Sequence, residues 1–200
     1  MNVARAGRGQ IVFLNGTSSS GKTSIAAQLM MLLRRPYFHL AADSFNGMRS
    51  VTATSELPPG DVAEVLERTV LGFHRAVAGM ASAGNDVVVD HVLREPHWFT
   101  DCLAQWEDFD VVFVGVRCSL AELTRRERVR DEGEIGRAAH QFDRVHAHGE
   151  YDVECDTEAQ HARDCAMQIK DFLASSNPAD QPRAFDRLRA ARLLVDAPSG

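Results

Sequence analysis

The sequence lacks any long hydrophobic run, and this absence excludes a membrane-spanning protein. No apolar stretch approaches the roughly 18 residues that a transmembrane helix needs. A short apolar run at residues 11–14 follows Arg5 and Arg8, but it is too short for the core of a signal peptide. We therefore expect a cytoplasmic protein that has no membrane partner.

Cysteine is scarce, and none of the cysteines forms a C-x-x-C pair. The four cysteines are Cys102, Cys118, Cys155 and Cys165. We expect reduced, partly buried thiols rather than disulfides or a zinc site. His146 and His148 are close in sequence, but without a convincing third ligand a metal cluster there is the weaker interpretation.

Positive charge is also in deficit, with 22 Lys and Arg against 28 Asp and Glu, a net charge of −6. This balance argues against broad nucleic-acid binding, which needs a basic face, but it leaves room for a local basic pocket. The composition, 44% hydrophobic and 25% charged, is that of an ordinary globular protein, and 200 residues fit one domain.

One segment stands out against this background. Residues 16–23, with the sequence GTSSSGKT, match the phosphate-binding pattern G-x-x-x-x-G-K-[ST]. The apolar run before them predicts a buried strand, and apolar residues from Ile25 to Leu33 recur at helical spacing. A loop in this context directs successive backbone N–H groups at one point, where they bind phosphate oxygens. The alternative is a serine-rich turn that matches by chance.

The motif assigns roles to its residues. Lys22 is expected to reach the β- and γ-phosphates of ATP, and the Thr23 hydroxyl to ligate Mg²⁺. The predicted ATP-binding residues of this segment are Gly16, Thr17, Ser18, Ser19, Ser20, Gly21, Lys22, Thr23 and Ser24.

Strand-like and helix-like segments alternate along the chain. Predicted strands cover residues 10–15, 37–41, 86–91, 110–116 and 151–155. Predicted helices cover residues 22–34, 61–83, 95–106, 119–132, 137–147 and 158–174, with Asp61 as the N-cap of the second. This alternation predicts an α/β fold with a mainly parallel, five-stranded sheet, in which ligands bind beyond the carboxyl ends of the strands.

Two carboxylates, at or just after the ends of predicted strands, are candidates for catalysis or metal binding. Asp43 would face the γ-phosphate and accept the proton of an acceptor hydroxyl, and its alternative role is a helix N-cap. Asp90 ends an apolar run in a Walker-B-like pattern and would hold Mg²⁺ through water or bind the acceptor. Apolar runs that end in Asp are common, so Asp90 gains weight only beside the phosphate-binding loop.

A cluster of arginines in the second half of the chain supplies positive charge. Arg126 and Arg130 share one helix face, and Arg137 follows two glycines at which the helix is expected to break. We expect a lid that closes over ATP and excludes water, with Arg126 and Arg130 binding the nucleotide and Arg137 acting in catalysis. For Arg125 and Arg128 we prefer the alternative, a solvated helix whose arginines pair with nearby carboxylates.

Several segments, taken in order, carry a resemblance to a known family. They read IVFLNGTSSSGK at 11–22, DS at 43–44, VVD at 88–90, VGVRC at 114–118, and EYDVE at 150–154 leading to Asp156 and Thr157. The last two are far more specific than the loop, which many ATPases share. Over about residues 10–175 the chain resembles the chloramphenicol phosphotransferase-like proteins.

The resemblance implies a three-layer P-loop kinase fold and ATP- and Mg²⁺-dependent phosphorylation of a small-molecule hydroxyl. The family's named acceptor is the primary hydroxyl of chloramphenicol, which implies antibiotic resistance. Asp43 stands at the position of the family's proposed catalytic base, and Lys22 and Thr23 match its nucleotide-binding residues. Candidate apolar residues for the acceptor pocket are Phe45, Met48, Val92, Leu93 and Trp98.

The leading hypothesis is therefore a small-molecule kinase with Asp43, Lys22 and Arg137 in catalysis. The alternatives are a nucleotide-binding regulatory module with little turnover, which has no need of Asp43, and a simple ATP hydrolase. Residues 1–176 are expected to form the kinase domain. Residues 177–200 are expected to form a linker and a short C-terminal helix, either a docking segment or a weakly packed extension. The sequence leaves a homo-oligomer open.

Overall fold

A computed structural model describes residues 7–130, 136–176 and 181–195, apart from the side chains of residues 130, 194 and 195. Five strands form one sheet in the order β2-β3-β1-β4-β5, and every neighbouring pair is parallel. The strands are β1 (Ile11–Asn15), β2 (Tyr37–Ala41), β3 (Asp86–His91), β4 (Val111–Arg117) and β5 (Val153–Asp156). The predicted α/β fold with a five-stranded parallel sheet is confirmed.

Helices connect the strands and follow the last of them. They are α1 (Lys22–Leu32), α2 (Ala42–Gly47), α3 (Val51–Ser55), α4 (Pro59–Ser82), α5 (Pro96–Gln105), α6 (Leu120–Arg130), α7 (Arg137–Val145), α8 (Ala162–Ser175) and α9 (Ala184–Val195). The predicted helices are all present, whereas α2 and α3 escape prediction because they are too short to show an apolar stripe. Asp61 is not the N-cap of α4: that position is Pro58, and Asp61 lies in the first turn.

The sheet is covered on both faces, which accounts for its runs of valine. Side chains alternate along β1, so that Ile11 and Phe13 enter one core cluster whereas Val12 and Leu14 enter the other. The first cluster includes residues of α4, α5 and α9, and the second includes residues of α1 and α8. The molecule therefore has three layers, with helices on either side of the sheet.

The segments VGVRC and EYDVE hold β4 and β5 together. A Cβ atom on Gly115 would lie 2.7 Å from a ring carbon of Tyr151, so glycine is what allows this ring to approach β4. Arg117 and Glu154 form a salt bridge of 2.7 Å between the same strands. The Tyr151 hydroxyl accepts a hydrogen bond of 2.9 Å from the side-chain amide of Asn15, the last residue of β1. These contacts fix the edge of the sheet beside the phosphate-binding loop.

Helix α9 is anchored in the body of the protein. Phe185 is 1% exposed and belongs to the first core cluster. Arg183, also buried, donates a hydrogen bond of 2.9 Å to Asp110, and Asp152 accepts one of 2.7 Å from the backbone N–H of Ala184. This segment is therefore not a weakly packed extension. The predicted domain boundary at residue 176 stays a prediction, and residues 177–180 lie outside the described part of the chain.

Within residues 7–130, 136–176 and 181–195, no helix is both long and apolar enough to cross a membrane. The four cysteines are buried free thiols. Over the same ranges, no group of three or more His, Cys, Asp and Glu side chains is arranged to hold a metal ion.

Candidate active site

The carboxyl ends of the strands form one edge of the sheet, where most of the candidate residues collect. Asn15 at the end of β1 lies opposite His91, and Ala41 at the end of β2 lies opposite Asp90. The loop of residues 16–21 joins β1 to α1 at this edge, and Asp43 follows β2 directly, in α2. A parallel sheet brings these positions together because all its strands end on the same side.

The phosphate-binding loop has a tightly curled backbone. Gly21, the residue before α1, has a φ of 95°, and Ser19 also has a positive φ, of 61°. A Cβ atom on Gly16 would lie 2.5 Å from the carbonyl oxygen of Val116, so any side chain there would displace the loop from β4. Helix α1 begins immediately after the loop, and the N–H groups and dipole of its first turn favour an anion.

Thr23 and Asp90 are in direct contact beside this loop. The Thr23 hydroxyl donates a hydrogen bond of 2.6 Å to Asp90 Oδ2, and Lys22 Nζ lies 3.8 Å from Asp90 Oδ1. Lys22 also donates a hydrogen bond of 2.8 Å to the carbonyl of Thr17, which keeps its ammonium group within the loop. Hydroxyl and carboxylate oxygens are the hard ligands that Mg²⁺ prefers, so the Thr23–Asp90 pair fits this ion next to bound phosphates.

A cavity of about 390 Å³ opens on one side of the loop, and Arg126 borders it together with Gly21 and Ser24. Arg126 donates hydrogen bonds of 3.0 and 2.7 Å to the hydroxyl and carbonyl of Thr157. Thr157 in turn donates a hydrogen bond of 2.7 Å to the carbonyl of Ser20 in the loop. Arg126 is thereby held against the loop at the wall of this cavity, and its role in binding the nucleotide stays a prediction.

Two arginines of α6 share one carboxylate. Glu122 accepts hydrogen bonds from Arg125 at 2.6 Å and from Arg126 at 2.8 Å. These two guanidinium groups, Arg125 first, lower the pKa of Glu122 to about 2. The preferred interpretation of Arg125 as an ion-pair partner therefore matches the structure. Arg130 is the last residue of α6, its side chain lies outside the described part, and its role at the nucleotide stays a prediction.

A second cavity, of about 290 Å³, lies on the other side of the loop and is called the acceptor cavity below. Thr23, Asp43, Asp90 and Arg137 all line it. Asp43 is exposed and lies in the first turn of α2, whose N-cap is Ala41, so the alternative of a helix cap is wrong for Asp43. The cavity thus has a solvent-accessible carboxylate in the same wall as Thr23 and Asp90.

The apolar candidates for this cavity divide into two groups. Val92 and Trp98 line it, and Trp98, which is 5% exposed, also belongs to the first core cluster. Leu93 is instead fully buried in the core, Phe45 packs against the first core cluster, and Met48 is 77% exposed. The expected role of Leu93, Phe45 and Met48 in binding the acceptor is not supported by these positions. Sequence position after a strand cannot separate a cavity-lining side chain from a core one.

Arg137 is the first residue of α7 and follows Gly136, whose φ is 95°. The carboxylate of Glu127 accepts hydrogen bonds from the N–H groups of Gly136 at 3.0 Å and Ala138 at 2.7 Å. Glu127, a residue of α6, therefore caps the start of α7. Residues 131–135, which connect the two helices in the sequence, lie outside the described part of the chain. Glu127 thereby fixes the position from which Arg137 reaches the acceptor cavity.

Gln141 and Arg94 also line the acceptor cavity, and the sequence motifs include neither of them. Gln141 of α7 accepts a hydrogen bond of 2.8 Å from the backbone N–H of Ser18 in the loop. The guanidinium group of Arg94 lies over the ring of Trp98, 5.0 Å from its centroid. The rule that ligands bind beyond strand ends would have identified Arg94, which comes shortly after β3. No local pattern marks Gln141, because only folding brings α7 to the loop.

Buried histidines make us expect a protein that loses stability in acid. His74 contacts Asp101 at 2.7 Å and the ring of His91 at 3.3 Å. Burial lowers the pKa of His74, lowers that of His91 well below its ordinary value, and lowers the pKa values of His146 and His148 to about 4. Because the unfolded chain binds these protons near pH 6.5 and the folded chain resists them, stability falls as the pH drops below that value.

We predict that the free energy of unfolding decreases between pH 7 and pH 5, by at most about 1.4 kcal/mol per pH unit for each such histidine. Urea midpoints at pH 7, 6 and 5 measure this. The double variant His146→Gln and His148→Gln should show a shallower decrease, whereas His140→Gln, at an exposed position, should keep the wild-type slope. A midpoint that is constant over this range would contradict the prediction.

Comparisons with known proteins identify the family and the fold of this chain. Residues 9–174 match the family described as "Chloramphenicol phosphotransferase-like protein". A protein of Mycobacterium tuberculosis (strain H37Rv) named "Putative O-phosphotransferase Rv2636" is 28% identical over 201 residues, which span 90% of this chain and 88% of the relative.

Solved structures show the same fold. The APS kinase of Mycobacterium tuberculosis, in complex with AMPPNP and APS, matches with a TM-score of 0.65 and 19% identity, over 84% of this chain and 99% of that one. A sugar kinase from Janibacter sp. HTCC2649 matches with a TM-score of 0.62 and 18% identity, over 86% and 97%. The fold is that of the P-loop kinases. Because the family match covers most of the chain, this protein belongs to the chloramphenicol phosphotransferase-like family.

Proposed function

We propose that this protein is a kinase that transfers the γ-phosphate of ATP to a hydroxyl group of a small molecule. The observation that carries the proposal is that Asp43, Arg137 and the hydrogen-bonded pair Thr23–Asp90 line one cavity beside the phosphate-binding loop. A protein that only binds nucleotide has no need of an exposed carboxylate at that place. Family membership supports phosphate transfer in general, and the identity of the acceptor belongs to the proposal.

The loop and its neighbours bind ATP in this account. Backbone N–H groups of residues 16–23 and the ammonium group of Lys22 hold the phosphates. The nucleoside occupies the 390 Å³ cavity beside Arg126. Thr23 and Asp90 are the residues that would hold Mg²⁺, directly or through water, and the bound ion supplies positive charge that offsets the charge of the phosphate oxygens.

Asp43 acts on the acceptor. Its carboxylate orients the acceptor hydroxyl and accepts the proton as the hydroxyl oxygen forms a bond to the γ-phosphorus. The bond from that phosphorus to the bridging oxygen breaks, and ADP keeps the bridging oxygen. Arg137 stabilises the charge on the transferred phosphoryl group, and Val92 and Trp98 bind the apolar part of the acceptor. Chloramphenicol, the acceptor for which the family is named, is the first compound to test.

The test is release of ADP from Mg·ATP in the presence of a panel of hydroxyl compounds, with chloramphenicol first. We expect at least one compound to stimulate ADP release and to yield an equal amount of phosphorylated product. Lys22→Ala should lose this activity, whereas Arg68→Gln, which removes an exposed guanidinium on α4, should keep it. Tight binding of ATP without stimulation by any compound would instead favour a regulatory nucleotide-binding module.

A further inference from the structure

A third cavity, of about 510 Å³, adjoins the acceptor cavity and is lined mainly by basic side chains. Arg94, Arg137, Arg144 and His140 contribute to its wall, together with one carboxylate, Glu95. Arg94 and Arg137 also line the acceptor cavity, so the two spaces share a boundary. The region beyond the transfer site therefore has an excess of positive charge, in a protein whose net charge is −6.

Arg94 is the best-placed cation of this region. Its guanidinium group lies over the ring of Trp98 at 5.0 Å, a contact that orients the side chain. Its Nε atom is buried and has no hydrogen-bond partner among the described residues. Glu95 lies 3.9 Å from that Nε, beyond hydrogen-bonding distance, and also faces Arg144 at 3.5 Å. One carboxylate is thus shared by two guanidinium groups, and an oriented donor is left unsatisfied.

The bound nucleotide does not account for Arg94. Arg94 follows β3 and lines the acceptor cavity, the basic cavity and a further cavity of about 690 Å³ beside α9, but it is absent from the wall of the 390 Å³ cavity proposed for the nucleoside. The phosphates of ATP already have the loop, Lys22 and Arg137 as partners in the proposed mechanism. A guanidinium group that lines the acceptor cavity but not the nucleoside cavity is placed to bind a group on the acceptor.

We propose that the acceptor carries an anionic group in addition to its reactive hydroxyl, and that Arg94 binds this group. The proposal rests on the proposed function and names the substrate class: a hydroxyl compound that bears a carboxylate, sulfate or phosphate. Guanidinium groups bind such planar or tetrahedral anions with two hydrogen bonds. A neutral acceptor leaves Arg94 without that partner, so the enzyme discriminates against it.

The first measurement uses inorganic phosphate as the probe and protein saturated with Mg·AMPPNP, so that the loop is already occupied. Calorimetric titration should show saturable binding of phosphate. Arg94→Gln should weaken that binding at least about tenfold, because a charge-assisted contact is lost, and Arg94→Lys should weaken it less. Arg68→Gln should bind phosphate as the wild type does, because its guanidinium lies on an exposed face of α4.

The second measurement compares pairs of hydroxyl compounds that differ only in an anionic group, such as sugars and their phosphates, by ADP release. The wild type should prefer the anionic member by at least about tenfold in kcat/KM, mainly through a lower KM. In Arg94→Gln, the ratio of kcat/KM between the anionic and the neutral member should fall towards one. Binding of AMPPNP by each variant shows that it is folded.

The two proposals fail in different ways. Nucleotide binding and turnover that persist, together with no binding of phosphate or with equal binding by wild type and Arg94→Gln, would overturn the assignment of Arg94 and leave the kinase proposal standing. Preference of the wild type for the neutral member of each pair would likewise overturn the assignment of Arg94 and leave the kinase proposal standing. No saturable binding of Mg·AMPPNP would overturn the kinase proposal and the anionic acceptor with it.

Discussion

Replacement of Asp43 by asparagine is expected to abolish phosphate transfer while binding of Mg·ATP persists. The amide has nearly the same shape as the carboxylate but cannot accept the proton of the acceptor hydroxyl, so we expect a loss of about 10²–10⁴ in kcat. Asp43 is exposed on α2 and lines the acceptor cavity, which means that the substitution should leave the fold and the phosphate-binding loop unchanged. Rapid-quench measurement of a single turnover, with the best acceptor from the panel, separates the chemical step from binding.

Asp61→Asn is the matched control for this experiment. Asp61 is also an exposed carboxylate in the first turn of a helix, α4, but it does not line the acceptor cavity. We expect wild-type turnover from Asp61→Asn and unchanged affinity for ATP from both variants. Normal turnover by Asp43→Asn would exclude Asp43 as the base. Loss of ATP binding by Asp43→Asn would mean that the residue supports the nucleotide site instead.

Replacement of Phe185 by alanine is expected to lower the free energy of unfolding by about 3–5 kcal/mol, the usual cost of truncating a buried phenylalanine. The ring is 1% exposed, and its centroid lies 5.9–6.0 Å from those of Phe99, Trp106 and Phe113. Truncation removes buried apolar area and leaves a cavity among aromatic rings that cannot close around it. Urea unfolding followed by circular dichroism measures the change.

Leu193→Ala provides the control on the same helix. Leu193 is 66% exposed, so its truncation should change the free energy of unfolding by no more than about 0.5 kcal/mol. If Phe185→Ala has an equally small effect, α9 does not belong to the folded core. The large effect that we expect would make α9 part of the stable unit, although the family match ends at residue 174.

Local patterns were enough to predict the sheet and the phosphate-binding loop. Most of the strands contain a short apolar run, and the loop has glycines where the backbone needs positive φ or close approach. The chain order of alternating strands and helices also implies a parallel sheet, and a parallel sheet places Asp43 and Asp90 at the same edge. These features depend on neighbours in the sequence, or on one general rule of topology, and can therefore be predicted from the sequence.

Contacts between distant segments could not be predicted in the same way. The hydrogen bond from Ser18 to Gln141 joins residues 123 positions apart, and the hydrogen bonds from Arg126 to Thr157 join residues 31 positions apart. An apolar residue after a strand has the same appearance in sequence whether it enters the core, as Leu93 does, or a cavity wall, as Val92 does.

The amino-acid order alone was therefore sufficient for the kind of fold and for the place where phosphate would bind. Only the packed structure decided which cations face the acceptor cavity, that Glu127 caps α7, and that Phe185 completes the core. The physical reason is range: backbone conformation and amphipathic faces follow from residues within a few positions, whereas the partners of a side chain follow from how whole elements pack.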